Sequence, residues 1–121
     1  MPADVPPALE VTCLCAAWCG VCRDWTPVFD ALAAAYPTVR FGWVDVEDEA
    51  DAMGDLDVET FPTLLVARGD HALFLGPVQP SSAQVGRLVE SLLADPSART
   101  SAGPEALALL RRLRSQMLPK R

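Results

Sequence analysis

Several features are missing from this sequence, and each absence narrows what it encodes. No apolar run approaches the ~20 residues needed to span a bilayer, so no membrane partner is expected. No Lys or Arg precedes Arg23, so the positively charged start of a secretory signal is lacking and a cytoplasmic protein is expected. There is no Gly-rich phosphate loop, hence no expected nucleotide or other cofactor, and there is no internal repeat. Histidine occurs once, at His71, in what reads as a solvated turn rather than a catalytic position. Basic residues are outnumbered, 10 against 16 acids, for a net charge of −6 and a pI near 4.6. That balance excludes a general binder of nucleic acid or of anionic membranes.

What remains suits one compact unit. The chain has 121 residues, of which 50% are hydrophobic, with a mean hydropathy of +0.19. A chain of this size hides roughly two-thirds of its surface on folding and needs neither disulfide staples nor a structural metal. The charge is uneven. Acids crowd between Asp45 and Glu59, while Arg99, Arg111, Arg112, Arg114, Lys120 and Arg121 gather in the tail.

Leu9 to Cys15 is short, apolar and partly β-branched, and predicts a buried strand. A helix is expected from Cys19 or Gly20, with Trp25, Val28, Phe29, Leu32 and Tyr36 at helical spacing, a kink at Pro27 and a stop at Pro37. Val39 to Val46 predicts a second strand, parallel to the first because a helical crossover joins them. Glu47 to Asp55 reads as a short exposed helix. Thr63 to Ala67 and Ala72 to Leu75 predict an antiparallel hairpin turning at Arg68 to His71, with Gly76–Pro77 as a break.

Ser81-x-x-Gln84 has capping-box spacing ahead of a helix whose Val85, Leu88, Val89 and Leu92 share a face. After a polar linker, Pro104 suits a first helical position, and Leu107, Leu110, Leu113 and Met117 form an apolar stripe expected to dock on the domain. The order is βαβ(α)ββα plus a tail helix, an α/β fold with helices flanking the sheet. Residues 1–96 form the domain, and 97–121 a linker and basic amphipathic helix.

Cys13, Cys15, Cys19 and Cys22 fall within ten positions, too close to staple distant loops. Cys19 stands where the first strand runs into the first helix. Unpaired amides and the positive helix end stabilise a thiolate there, and Cys22 lies one turn further in, placed to resolve a mixed disulfide. Gly20 permits a tight turn with little bulk beside the attacking sulfur. Cys13 and Cys15 share one face of the strand and read as small apolar fillers. A four-cysteine metal site is disfavoured, because two thiols in a strand and two at a helix start converge poorly, so no metal is expected.

With these residues in view, the chain resembles the thioredoxin family from about Leu9 to Leu93. The resemblance rests on Ala17–Trp18–Cys19–Gly20-x-Cys22, Pro27, Val44–Asp45–Val46 and Val58-x-Thr60–Phe61–Pro62–Thr63, in that order. It implies a thioredoxin-like fold with a four-stranded mixed sheet in the order 2-1-3-4, lacking the family's first strand and helix. It also implies a cis Phe61–Pro62 bond facing the dithiol, substrate backbone pairing at Thr60 and Phe61, and Trp18 flanking the groove. The family's buried acid falls on Cys13, and the lysine that often accompanies it falls on Trp43, so Cys22 lacks its customary polar helpers.

The function so implied is a thiol–disulfide oxidoreductase acting on protein disulfides through Cys19 and Cys22. An external reductase or small thiol donates the electrons, and the protein is expected to be a monomer. An interaction module of the same fold, with a weakly active or inactive dithiol, is the alternative. Val21 occupies the place of the usual proline of the family's CGPC loop, which by resemblance implies a weaker reductant. Titrating the Cys19–Cys22 dithiol against glutathione or dithiothreitol buffers checks this. The expected midpoint is less reducing than an ordinary thioredoxin's.

Overall fold

The structure, a computed structural model, describes residues 8–16, 19–54, 61–95 and 102–116. Four strands, β1 (Leu9–Cys15), β2 (Arg40–Asp45), β3 (Thr63–Arg68) and β4 (His71–Pro77), form one sheet in the order β2-β1-β3-β4. β1 runs parallel to β2 and antiparallel to β3, and β3 pairs antiparallel with β4. The mixed four-stranded sheet and its order are those the resemblance implied. The helices are α1 (Gly20–Ala35), α2 (Ala50–Met53), α3 (Ser82–Leu93) and α4 (Pro104–Gln116).

Strand alternation splits the core into two. Leu9, Val11, Cys13 and Cys15 of β1, with Leu64 and Val66 of β3, face α1 and α3 and meet Cys22, Trp25, Phe29, Leu32, Val85 and Val89. Leu14, Leu65 and Ala67 face the other way, onto Ala52 and Met53 of α2 and Ala106, Leu109, Leu110 and Leu113 of α4. β3 is therefore buried on both faces, whereas β1 is apolar on its odd face and carries the partly buried Glu10 and Thr12 beside Leu14 on the other. Phe29 sits at the middle of the first core, edge-on to Phe41 at 5.3 Å and to Trp43 at 5.6 Å. Trp25 packs beside it with its indole N–H buried.

Three local departures from the sequence reading have physical reasons. The acidic stretch is not a wholly exposed helix, because Ala52 and Met53 of α2 are buried. β4 continues through Gly76 to Pro77, which an edge strand tolerates because proline's missing amide can face outward. The buried stripe of α4 is Ala106, Leu109, Leu110 and Leu113, with Leu107 only half-buried. A stripe counted on leucines alone passes over Ala106, which is fully buried in the second core. Met117 lies outside the described residues. His71 is exposed at the start of β4, as expected of a turn residue.

Two arginines hold helix ends in place, one from the sheet and one from another helix. Arg68, buried at the end of β3, donates to the carbonyls of Leu92 and Asp95 at 2.8 and 3.5 Å. Arg112 of α4 donates to the carbonyls of Ala52 and Met53 at 2.6 and 3.0 Å. Each supplies donors and positive charge to a helix C-terminus, where unpaired carbonyls and the negative end of the dipole favour a cation. Gly54, at φ +61°, is needed there, since a Cβ would come within 2.9 Å of the Arg112 guanidinium. Arg114 pairs with Glu10 of β1, which also faces Arg40 at 3.7 Å. At the opposite helix end, Ser81 accepts the Gln84 amide and caps α3 as its spacing predicts.

Two outcomes follow for stability. Leu109→Ala empties a fully buried site and is expected to cost about 2–5 kcal/mol, with Leu107→Ala costing clearly less; urea denaturation measures both. Burial pushes the Cys13 thiol up to about 12 from 9.0, the neighbouring Trp25 indole opposing the shift. The folded chain thus keeps a proton that the unfolded chain releases above pH 9, so stability falls as pH rises from about 9 toward 12. Replacing Cys13 with Ala is expected to remove a slope of up to about 1.4 kcal/mol per pH unit from denaturation curves collected above pH 9.

Candidate functional site

β1 ends at Cys15, α1 begins at Gly20, and β3 begins at Thr63. Parallel pairing brings Asp45 beside Cys15, and antiparallel pairing sets Thr63 opposite Leu14. The chain just before Thr63, Phe61–Pro62, therefore lies at the same end of the sheet as the first turn of α1. The Phe61–Pro62 bond is cis, as the resemblance implied. Pro62 is buried and its carbonyl accepts the Val78 amide at 3.0 Å, while Phe61 stays half-buried at the rim of the first core.

Cys19 is the N-cap of α1. Its backbone is extended, with φ −83° and ψ 122°, its amide donates to Ala16 O at 3.0 Å, and its carbonyl accepts the first helical bond from Arg23. The side chain makes no capping hydrogen bond, so its sulfur is a free, half-buried thiol against the first core. The amides of Gly20, Val21 and Cys22 begin the helix and have no intrahelical acceptor. This end of α1 therefore presents donors and positive potential where Cys19 sits. Gly20 and Val21 are exposed beside it, Val21 at 46%. Trp18 and Thr60 lie outside the described residues.

Cys22, one turn deeper, is buried, and here the structure departs from the sequence reading. Its sulfur is bonded to Cys15, not to Cys19, with the two Cα atoms 5.9 Å apart. Cys15 had read as an apolar filler; it is instead one half of a disulfide. Cys13 keeps the filler role, buried and free, and its thiol donates to the Cys15 sulfur at 3.9 Å. The signal for Cys15 was present in the sequence. Odd positions of β1 face α1, and a residue ending that strand meets the inward side of the helix's first turn, which is where Cys22 falls.

The expected absence of a buried acid has a visible counterpart. Cys13 and Trp43, to which the resemblance assigns the places of the family's acid and lysine, are register partners across β1 and β2. Trp43 is exposed at 37% and meets Phe29 edge-on, so its ring serves aromatic packing. Among the described residues no group of three or more His, Cys, Asp or Glu side chains is placed to hold a metal ion. None of the described helices is long and apolar enough to cross a membrane. The arrangement is one free thiol at a helix mouth, one buried disulfide at the residue one turn deeper in the same helix, and Phe61–Pro62 at the same end of the sheet.

Comparison with known proteins places this arrangement. The Thioredoxin family pattern matches residues 9–82. A relative in Streptomyces coelicolor is 35% identical over 80 residues, 66% of this chain and 54% of its own length. An H-type thioredoxin of Picea mariana is 38% identical over 58 residues, 48% of this chain and 46% of its own. The chain thus spans about half the length of the curated relatives it matches. Among solved structures, the thioredoxin of Fasciola hepatica superposes with a TM-score of 0.63 at 26% identity, covering 69% of this chain and 80% of that one. With well over half the sequence falling on one family pattern, on the same fold, this chain belongs to the thioredoxin family.

Proposed function

We propose that the protein is a thiol–disulfide oxidoreductase acting on protein disulfides, with Cys19 as the attacking sulfur and Cys22 as the resolving one. One observation carries this reading: Cys19 is a free thiol at the N-cap of α1, above a buried cysteine of the same helix that already takes part in a disulfide. The Cys19 thiolate attacks a substrate disulfide, forms a mixed disulfide and expels one substrate thiolate. Cys22 then attacks the Cys19 sulfur, breaks the mixed disulfide and expels the second thiolate. The substrate gains two electrons and the cysteine pair loses them. A reductase or a small thiol such as glutathione returns them.

Phe61 and Pro62, at the same end of the sheet, support the assignment of that segment, with Thr60, as the one against which an extended substrate lies. Trp18, Gly20 and Val21 complete the rim. A reducing compartment such as the cytoplasm is the proposed setting, and a monomer the proposed form.

The structure also favours a second reading in one respect. A Cys22 committed to Cys15 leaves Cys19 without a resolving partner, as an interaction module with an inactive dithiol would have. Insulin reduction with dithiothreitol as donor separates the two. The parent chain is expected to accelerate precipitation of the insulin B chain, and Cys19→Ser to fall to the dithiothreitol background. Cys22→Ser is expected to accumulate a mixed disulfide with insulin, visible on a non-reducing gel. A parent chain no faster than background, unchanged by Cys19→Ser, would establish the interaction module instead.

A further inference from the structure

We propose that Cys15 is a third redox cysteine, which takes Cys22 from Cys19 by internal disulfide exchange and so returns Cys19 to the free thiol after each oxidation. The inference rests on the oxidoreductase reading for its biological use, and on three observations for its chemistry. Cys15 and Cys22 are joined, although Cys19 lies closer to Cys22 along the chain. Both joined sulfurs belong to residues buried in the first core, whereas Cys19 packs against that core from its rim. Cys13 donates its thiol hydrogen to the Cys15 sulfur.

The step balances without an outside oxidant. In a chain oxidised at Cys19–Cys22, the Cys15 thiolate attacks the Cys22 sulfur. A Cys15–Cys22 bond forms, the Cys19–Cys22 bond breaks, and Cys19 departs as a thiolate, which takes up the proton Cys15 gave up. Cys19 is the favoured leaving group because it lies at the rim of the core, at the positive end of α1, whereas Cys15 is fully buried. Burial keeps Cys13 protonated, so it stays out of the exchange. It remains a hydrogen-bond donor to the Cys15 sulfur, which favours thiolate character there when the exchange runs in reverse.

Reduction must then retrace the path. An external thiol has no ready access to a disulfide whose two residues are buried, so Cys19 first attacks Cys22 to regenerate the Cys19–Cys22 bond, and the donor attacks Cys19. The oxidised protein is in this way held in a form that accepts electrons only through Cys19.

Chymotryptic mapping tests the exchange, because cleavage after Leu14 and after Trp18 puts Cys13, Cys15 and the Cys19–Cys22 pair in three separate peptides. The reduced chain is oxidised with diamide, quenched at intervals with acid, and alkylated in denaturant. The Cys19–Cys22 bond is expected first, followed by conversion to a cross-linked Cys15–Cys22 peptide with Cys19 alkylated. A map that ends with Cys19–Cys22 joined and Cys15 alkylated would overturn the inference.

In Cys15→Ala, or Cys15→Val if the first variant folds poorly, Cys19 alkylation after oxidation is expected to drop from near-complete to trace. Reduction of the oxidised parent by excess dithiothreitol is expected to reach a limiting rate set by the internal step, and that of the variant to rise linearly with donor. A linear dependence in the parent also overturns the inference. A chain that fails to reduce insulin yet completes the conversion after diamide loses the oxidoreductase reading and keeps the exchange.

Discussion

Seven positions separate Cys15 from Cys22, and within that distance the chain leaves a central strand, turns, and starts a helix that lies back on the same sheet face. Everything distinctive about the site depends on this tight reversal. It sets the end of β1 directly beneath the first turn of α1, so a strand residue and a helix residue meet side chain to side chain. It also sets Cys19, half-buried at the helix mouth, against the first core. The burial of Trp25 and Phe29 against β1 holds the reversal in place. An error in their packing would move the helix mouth before it moved anything else.

The loss of the family's buried acid and lysine acquires a meaning in this setting. A carboxylate at the position of Cys13 would sit among Val11, Trp25 and Leu64, and would need either a partner or a proton to remain there. A neutral thiol needs neither. In its place the column holds sulfur-to-sulfur contacts, Cys13 to Cys15 and Cys15 to Cys22. The chemistry stays within one column of side chains on the odd face of β1.

Much of the fold was legible in the sequence because the signals were strong and local. Alternation in β1, the helical spacing of α1 and the Ser81 cap each act over a few residues, and each sits where expected. The hairpin announced itself through Gly69, which takes up φ +60° at the turn. What escaped depends on neighbours distant in sequence. Ala52 and Met53 are buried because α4 arrives from about sixty residues further on, as the Arg112 hydrogen bonds record, and charge counting in the acidic stretch could not reveal that. The pairing of Cys15 escaped for a related reason. Spacing along the chain favoured the nearer cysteine, whereas contact across the strand–helix junction selected the one that shares a face.

The sheet keeps its sulfur chemistry on one side and its α4 packing on the other, with only the backbone of β1 and β3 between them. Such a partition insulates the reactive side from wear. A lesion among Leu109, Leu110 or Leu113 reaches the cysteines only by bending the strands they share. A substitution there, such as Leu109→Ala, therefore acts on the thiols through the stability of the shared sheet and not by direct contact.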